Sequence, residues 1–170
     1  YWQIMKSTGR ENGLEINNEI DERYHIEKST QVACDYLNEA YERFGNWTLA
    51  AASYNMGMAG TARRLSEQGV ESYYDLLLNS ETARYVYRIA AVKHIHENLE
   101  EFGYVYHQDQ GYSFPEMDTI SLNTTVPDWI SWAQTQGITY NTLRIYNPWI
   151  RSQQLSNSTN KAYHIWVPSK

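Results

Sequence analysis

In the stretch "STQVACDYLNEAYERFG", apolar residues recur every three to four positions, so that Val32, Tyr36 or Leu37, Ala40 and Phe44 fall on one stripe. That spacing predicts an amphipathic helix, with Ser29 or Thr30 able to cap its start and Gly45 able to end it. Next, "NWTLAAASYNMG" is small and apolar nearly all round before it reaches Tyr54, Asn55 and Gly57. A segment with no polar face predicts a helix buried at the centre of a domain. The longest helix is expected over "ETARYVYRIAAVKHIHENLEEFG", where Val86, Ile89, Val92, Ile95 or His96, Leu99 and Phe102 recur at helical spacing and Gly103 stops the run. Residues 1 to 103 therefore read as predominantly helical.

The pattern lapses from Tyr104 to Pro115, a predicted linker, and then changes period. "MDTISLN" alternates like a strand, "VPDWISWAQTQG" and "YNTLRIYNP" read as two short helices, and "AYHIWVP" alternates again. The expectation is a mainly α chain: a helical domain over residues 1–117 with its trailing linker, then a small α+β module, strand-helix-helix-strand, over residues 118–170. Its core is expected from Ile120, Trp129, Leu143, Ile165 and Val167. Charge marks the same boundary. Residues 1 to 117 hold ten Lys/Arg against eighteen Asp/Glu, whereas residues 118 to 170 hold four against two.

No basic run with interleaved aromatics is present, which argues against a nucleic-acid partner. A lone cysteine, Cys34, permits no intrachain disulfide, and Leu37 and Tyr41 near it at helical spacing predict a buried thiol. No apolar run reaches the roughly 20 residues of a membrane-spanning helix. The "HIH" of His94 to His96 offers two imidazoles two positions apart on a helix, where they point to nearly opposite faces and cannot share an ion. No metal or cofactor is expected. Aromatic residues make up 14 % of the chain, with 15 Tyr and 6 Trp. Their flat apolar faces and polar edges match the C–H face and hydroxyl rim of a pyranose.

Three stretches, "YWQIMKSTGRENGL", "LAAASYNMG" and "ETARYVYRI", occur in the order and at the spacing of motifs in the lysozyme-like lytic transglycosylases. The chain resembles that family, and within it the group of membrane-bound lytic murein transglycosylase D. Asp21, Arg23, Ser29 and the Tyr36–Leu37 pair add to the likeness. Lys6 stands where the family has Pro, and His25–Ile26 where Asp-Pro is common. The resemblance implies a lysozyme-like fold whose cleft is lined by Gln3, Met5, Tyr54, Asn55 and Tyr85. Gln3 and Asn55 would hydrogen-bond sugar hydroxyls or N-acetyl groups, and Tyr85 would face the reacting glycosidic bond. Glu81 reads more simply as a negative charge complementing a helix N-terminus.

The implied reaction cleaves the β-1,4 bond between N-acetylmuramic acid and N-acetylglucosamine and leaves a 1,6-anhydromuramoyl end. The implied partner is the glycan strand of peptidoglycan, in the periplasm or outer-membrane-associated envelope of a Gram-negative bacterium. The family's single acid/base Glu lies on a helix some way before the first motif. A chain opening on Tyr1 and Trp2 therefore reads as the interior of a motif, with the acid, and any membrane anchor, expected ahead of Tyr1. A non-catalytic glycan-binding protein is the alternative reading. The C-terminal stretch resembles a LysM module, a fold that binds N-acetylglucosamine polymers, through Asn147–Pro148 and "YHIWVP". Its first turn, Thr124 to Pro127, departs from the usual Gly-Asp-Thr-Leu.

Overall fold

The computed structural model describes residues 1–105 and 107–169. Seven α-helices and two strands are found among them: α1 Lys6–Glu11, α2 Ile26–Phe44, α3 Trp47–Met56, α4 Met58–Gln68, α5 Ser80–Glu97, β1 Met117–Leu122, α6 Trp129–Thr135, α7 Tyr140–Tyr146 and β2 Tyr163–Pro168. The chain is thus mainly α, with a small α+β part at its C-terminal side. Its contacts form two compact units, residues 1–33 with 113–170, and residues 34–112. The chain passes from one to the other within α2.

In the first unit β1 and β2 pair antiparallel, with Ile120 opposite Ile165. Helices α6 and α7 complete the expected strand-helix-helix-strand order. Asp128 caps α6 by accepting from the Ile130 and Ser131 N–H groups, and Thr139 caps α7. The core contains Trp129, Leu143, Ile165 and Val167, with Ile120 packed against it, as the alternation predicts. Asn147 is fully buried at the end of α7. Its amide donates to the Leu143 and Trp166 carbonyls at 3.0 and 2.7 Å, and its carbonyl accepts from the Trp166 N–H at 2.9 Å. One side chain therefore satisfies backbone groups of α7 and β2 together.

By contacts, residues 1–33 join this unit. Ile20 lies in the same core as Trp129 and bridges to Ile150. Glu19 accepts from the Ser156 N–H at 2.7 Å and from its hydroxyl at 3.0 Å. Glu15 receives Lys161 Nζ at 2.6 Å and the Tyr163 hydroxyl at 3.0 Å. Buried Glu22 is paired with Lys28. Gly9 is the residue that fits in α1, because a Cβ there would meet Ile16 Cδ1 at 2.8 Å.

In the second unit α3 has the expected buried character: Leu49, Ala50, Ala52 and Ser53 are all within 2 % exposure. Asn46 caps its start by accepting from the Leu49 N–H, and Gly57 ends it at φ 85°, a left-handed conformation that glycine adopts without steric cost. Leu49 and Ala52 pack with Tyr73, against Phe44, Leu65 and Val86. The Tyr73 hydroxyl reaches the Thr82 and Ala83 carbonyls of α5 at 2.8 and 2.9 Å.

Four expectations need correction. α2 starts at Ile26, so Ser29 is not its cap but lies buried in its first turn, with its hydroxyl on the Ile26 carbonyl. Cys34 is exposed, because the buried stripe of α2 runs through Val32, Ala33 and Ala40 and leaves position 34 off it. α2, at 19 residues, exceeds α5 at 18, since the expected long helix stops at Glu97 and re-forms as a 3-10 turn over Leu99–Phe102 before Gly103. Along the stripe of α5 Val86 and Ile95 are only half-buried, and Ile89 and Val92 are exposed; the one buried residue of the helix is Thr82, near its start. The predicted linker includes Tyr106, which lies outside the described residues, as does Lys170.

Candidate functional site

The five residues singled out in the sequence fall in both units, each with its own local setting. Gln3 is exposed and holds φ 53°, a left-handed conformation that a non-glycine residue seldom adopts. Two anchors flank it. Trp2 Nε1 donates to Thr30 Oγ1 at 2.8 Å, and the Ile4 carbonyl accepts from Arg23 Nη1 at 3.2 Å. Arg23 is itself fixed by two bonds to Asp21, at 2.9 and 2.6 Å. Burial raises the Asp21 carboxyl, but the Arg23 guanidinium outweighs that and holds it below the ordinary carboxylate range. Strain of this kind persists where neighbours over-determine it, and it is concentrated at functional sites. Met5, the residue before α1, is exposed.

Tyr54, Asn55 and Tyr85 lie in the second unit, the first two in the last turn of α3 and Tyr85 in the second turn of α5. Tyr54 meets Tyr36 edge-on, with ring centroids 5.5 Å apart. The Tyr36 hydroxyl donates to the Ser53 carbonyl at 2.7 Å and accepts from the Met58 N–H at 3.1 Å, so it bridges the α3–α4 turn across Gly57. Burial, with Tyr85 and Tyr36 close by, pushes the Tyr54 hydroxyl up to about 12. Burial raises Tyr85 as well. Both stay protonated at neutral pH and act as neutral donors and acceptors.

Asn55 is held by α5. Thr82 Oγ1, on a side chain only 1 % exposed, donates to Asn55 Oδ1 at 2.8 Å. Asn55 Nδ2 reaches Glu81 Oε1 at 3.5 Å, at the outer limit of a hydrogen bond. Asn79 caps α5 by accepting from the Glu81 and Thr82 N–H groups, both at 3.0 Å, which fixes the turn that carries them. The orientation of the Asn55 amide is thus set: oxygen on Thr82, nitrogen toward Glu81. Sequence reasoning preferred a helix-terminus role for Glu81 over catalysis and passed over Thr82. The signal available was the "NSET" cap, which marks a helix start but not its partner 26 residues upstream. A cavity of about 400 Å³ opens beside this cluster, lined by Asn55, Arg63, Arg64, Asn79, Glu81 and Thr82 among others.

The end of α3 presents neutral hydrogen-bonding groups suited to hydroxyls and amides, while Arg63, Arg64 and Glu81 bring charge to the cavity beside it. The neutral groups bond their partners directionally, and rigid elements hold them in place.

Comparison with known proteins bears on this geometry. Residues 1–77 match the model of the transglycosylase SLT domain, and residues 118–170 that of the soluble lytic transglycosylase C-terminal LysM-like domain. The chain is 30 % identical over 107 residues to proteins named membrane-bound lytic murein transglycosylase D from Escherichia coli K12 and from Escherichia coli O6:H1. The matched region is 60 % of this chain and 24 % of each relative, so the chain spans about a quarter of their length. Among the described residues no helix is long and apolar enough to cross a membrane.

Proposed function

We propose that this chain, which carries a transglycosylase SLT domain and a LysM-like C-terminal domain of the soluble lytic transglycosylases, belongs to an enzyme that cleaves peptidoglycan glycan strands. The bond cut joins N-acetylmuramic acid to N-acetylglucosamine, and the product carries a 1,6-anhydromuramoyl end. The observation that carries this reading is the fixed Asn55 amide, tied to Thr82 and Glu81 beside the protonated Tyr54 and Tyr85. In this reading Gln3, Met5, Tyr54, Asn55 and Tyr85 bind and orient the strand, and the organisation is two modules, residues 1–117 and 118–170. The setting is the cell envelope, from the resemblance.

The acid/base is a Glu preceding the first motif. Its carboxyl group protonates the glycosidic oxygen as the bond to C1 breaks. The resulting carboxylate then takes the proton of the muramoyl C6 hydroxyl while O6 closes on C1, so no water enters the product. A single carboxyl suffices, because the sugar supplies the nucleophile; a lysozyme-type hydrolase would in most families use a second one. Tyrosines held protonated near pH 7 are too weakly acidic to replace it.

The test is mass spectrometry of murein digested by the protein extended through that Glu. Ends lighter by one water than lysozyme products are expected. Hydrated reducing ends would make it a hydrolase, and binding without any cutting would make it a glycan-binding protein.

A further inference from the structure

The cavity beside Asn55 holds two side chains that the glycan reading does not use. α4 places Arg63 and Arg64 in its lining, while the end of α3 and the start of α5 contribute Asn55, Asn79, Glu81 and Thr82. Neutral sugars do not call for guanidinium groups, whose planar forks match carboxylates. Among the described residues both arginines share one acidic partner. Arg63 Nε stands 3.8 Å from one oxygen of Glu67, and Arg64 Nη1 3.2 Å from the other. Glu67 is itself half-exposed, as is Arg64, and Arg63 is more so. One carboxylate engages a small part of the ten N–H donors of two guanidinium groups and neutralises one of their two charges. The remaining positive charge faces a cavity that also contains the amide proposed to hold a sugar. Glu81 is the opposing charge in the lining, and its carboxylate is turned toward the Asn55 amide.

We propose that Arg63 and Arg64 form a carboxylate-recognition subsite, so that the site prefers glycan whose sugar at Asn55 bears an acidic peptide arm over glycan that has no such arm. The inference rests on the peptidoglycan reading above, since muramoyl residues carry such arms through their lactyl ether. A sugar amide or hydroxyl bonds Asn55 while the arm runs along α4 and sets its carboxylate between the two guanidinium groups. The pair acts on selection and leaves the reacting bond untouched.

The experiment is calorimetric titration of the 170-residue chain with a murein tetrasaccharide carrying its peptides, and with the bare N-acetylglucosamine tetrasaccharide, which has no lactyl arm and so no carboxylate. The peptide-bearing form is expected to bind about tenfold tighter at low salt, the size that two partly exposed guanidinium–carboxylate contacts supply together. That gap should shrink as salt screens the charges. Arg63→Gln with Arg64→Gln should abolish the gap and leave affinity for the bare tetrasaccharide unchanged, which also shows that the variant is folded. Equal affinity of the wild-type chain for both forms overturns the subsite and spares the peptidoglycan reading. So does a gap that survives in the double variant. Failure to bind either form overturns both.

Discussion

Thr82→Val isolates the bond that orients Asn55. Valine keeps the shape of threonine, so the packing of a side chain only 1 % exposed is largely preserved, and the hydroxyl alone is lost. That hydroxyl has one proton. The 2.8 Å contact to Asn55 Oδ1 takes it in preference to the 3.3 Å contact to Asn79 Oδ1, which already accepts two backbone N–H groups. A hydrogen bond of this kind contributes about 1 kcal/mol net, and a buried acceptor left unpaired costs about 1–3 kcal/mol. Asn55 is only half-buried, so water can reach its oxygen, and the expected loss sits near the low end, about 1 kcal/mol. The functional effect runs in parallel. With its oxygen untied the amide can rotate, and about 1 kcal/mol of lost orientation corresponds to roughly a fivefold weaker hold on glycan. Urea unfolding followed by circular dichroism gives the first number, and titration with a murein tetrasaccharide gives the second. Thr82→Ser should restore both, because serine keeps the donor. The reasoning is refuted if the valine variant matches wild type in stability and affinity, or if serine is as damaging as valine, which would make the methyl group the part that matters.

Tyr36→Phe keeps the ring against Tyr54 but removes the hydroxyl that bridges Ser53 and Met58; the Ser53 carbonyl keeps the Gly57 N–H. The loss should be about 1–2 kcal/mol in urea unfolding, and no measurable loss would show that the bridge is incidental. Gly9→Ala would push a methyl to 2.8 Å from Ile16 Cδ1, an overpacking expected to cost about 1–3 kcal/mol and to lower the thermal midpoint. Burial raises the Glu15 carboxyl, but hydrogen bonds from Lys161 and Tyr163 outweigh it and hold the group below its ordinary 4.5. Its folded pKa is depressed, so the unfolded chain binds the extra proton. The stability it contributes is present above about pH 4.5 and lost as pH falls through the folded value. Glu15→Gln should lower the urea midpoint at pH 7 and flatten its fall between pH 5 and 3, and an unchanged slope would exclude Glu15 as the source.

Periodicity made the regular elements legible, and chemistry at single positions did not follow from it. The apolar circumference of "LAAAS" announced a buried helix, and α3 is one. Alternation in "MDTISLN" and "AYHIWVP" announced two strands, and Ile120 does pair with Ile165. The stretch from Glu15 to Glu22 has neither period, being mostly polar, so nothing in it signalled Ile20 in the core with Trp129 or Glu15 on Lys161, 146 positions away. Contacts of that kind depend on side chains brought together by folding, which leave no periodic trace. Cys34 failed for a related reason: neighbours at helical spacing locate a face, but the face that packs is set by other elements. The candidate site divides the same way. Motif resemblance pointed to Tyr54, Asn55 and Tyr85, whereas the ties of Asn55 to Thr82 and Glu81 became visible only in three dimensions.

The charges at this site argue for a division of labour. Burial holds Tyr54 and Tyr85 protonated, and Asn55, Asn79 and Thr82 are neutral at any pH. A cluster of that composition can bind and orient a sugar across a wide pH range, yet it has no group among these five that exchanges a proton near neutrality. Charge comes from Glu81 at the start of α5 and the arginine pair on α4. On the proposed reading, a pH-dependent rate in the extended protein should therefore report the carboxyl proposed to perform the proton transfer, while the salt dependence of binding should report Arg63 and Arg64. The two dependences arise from different side chains, so substituting the arginines should remove the salt effect and leave the pH profile where it was.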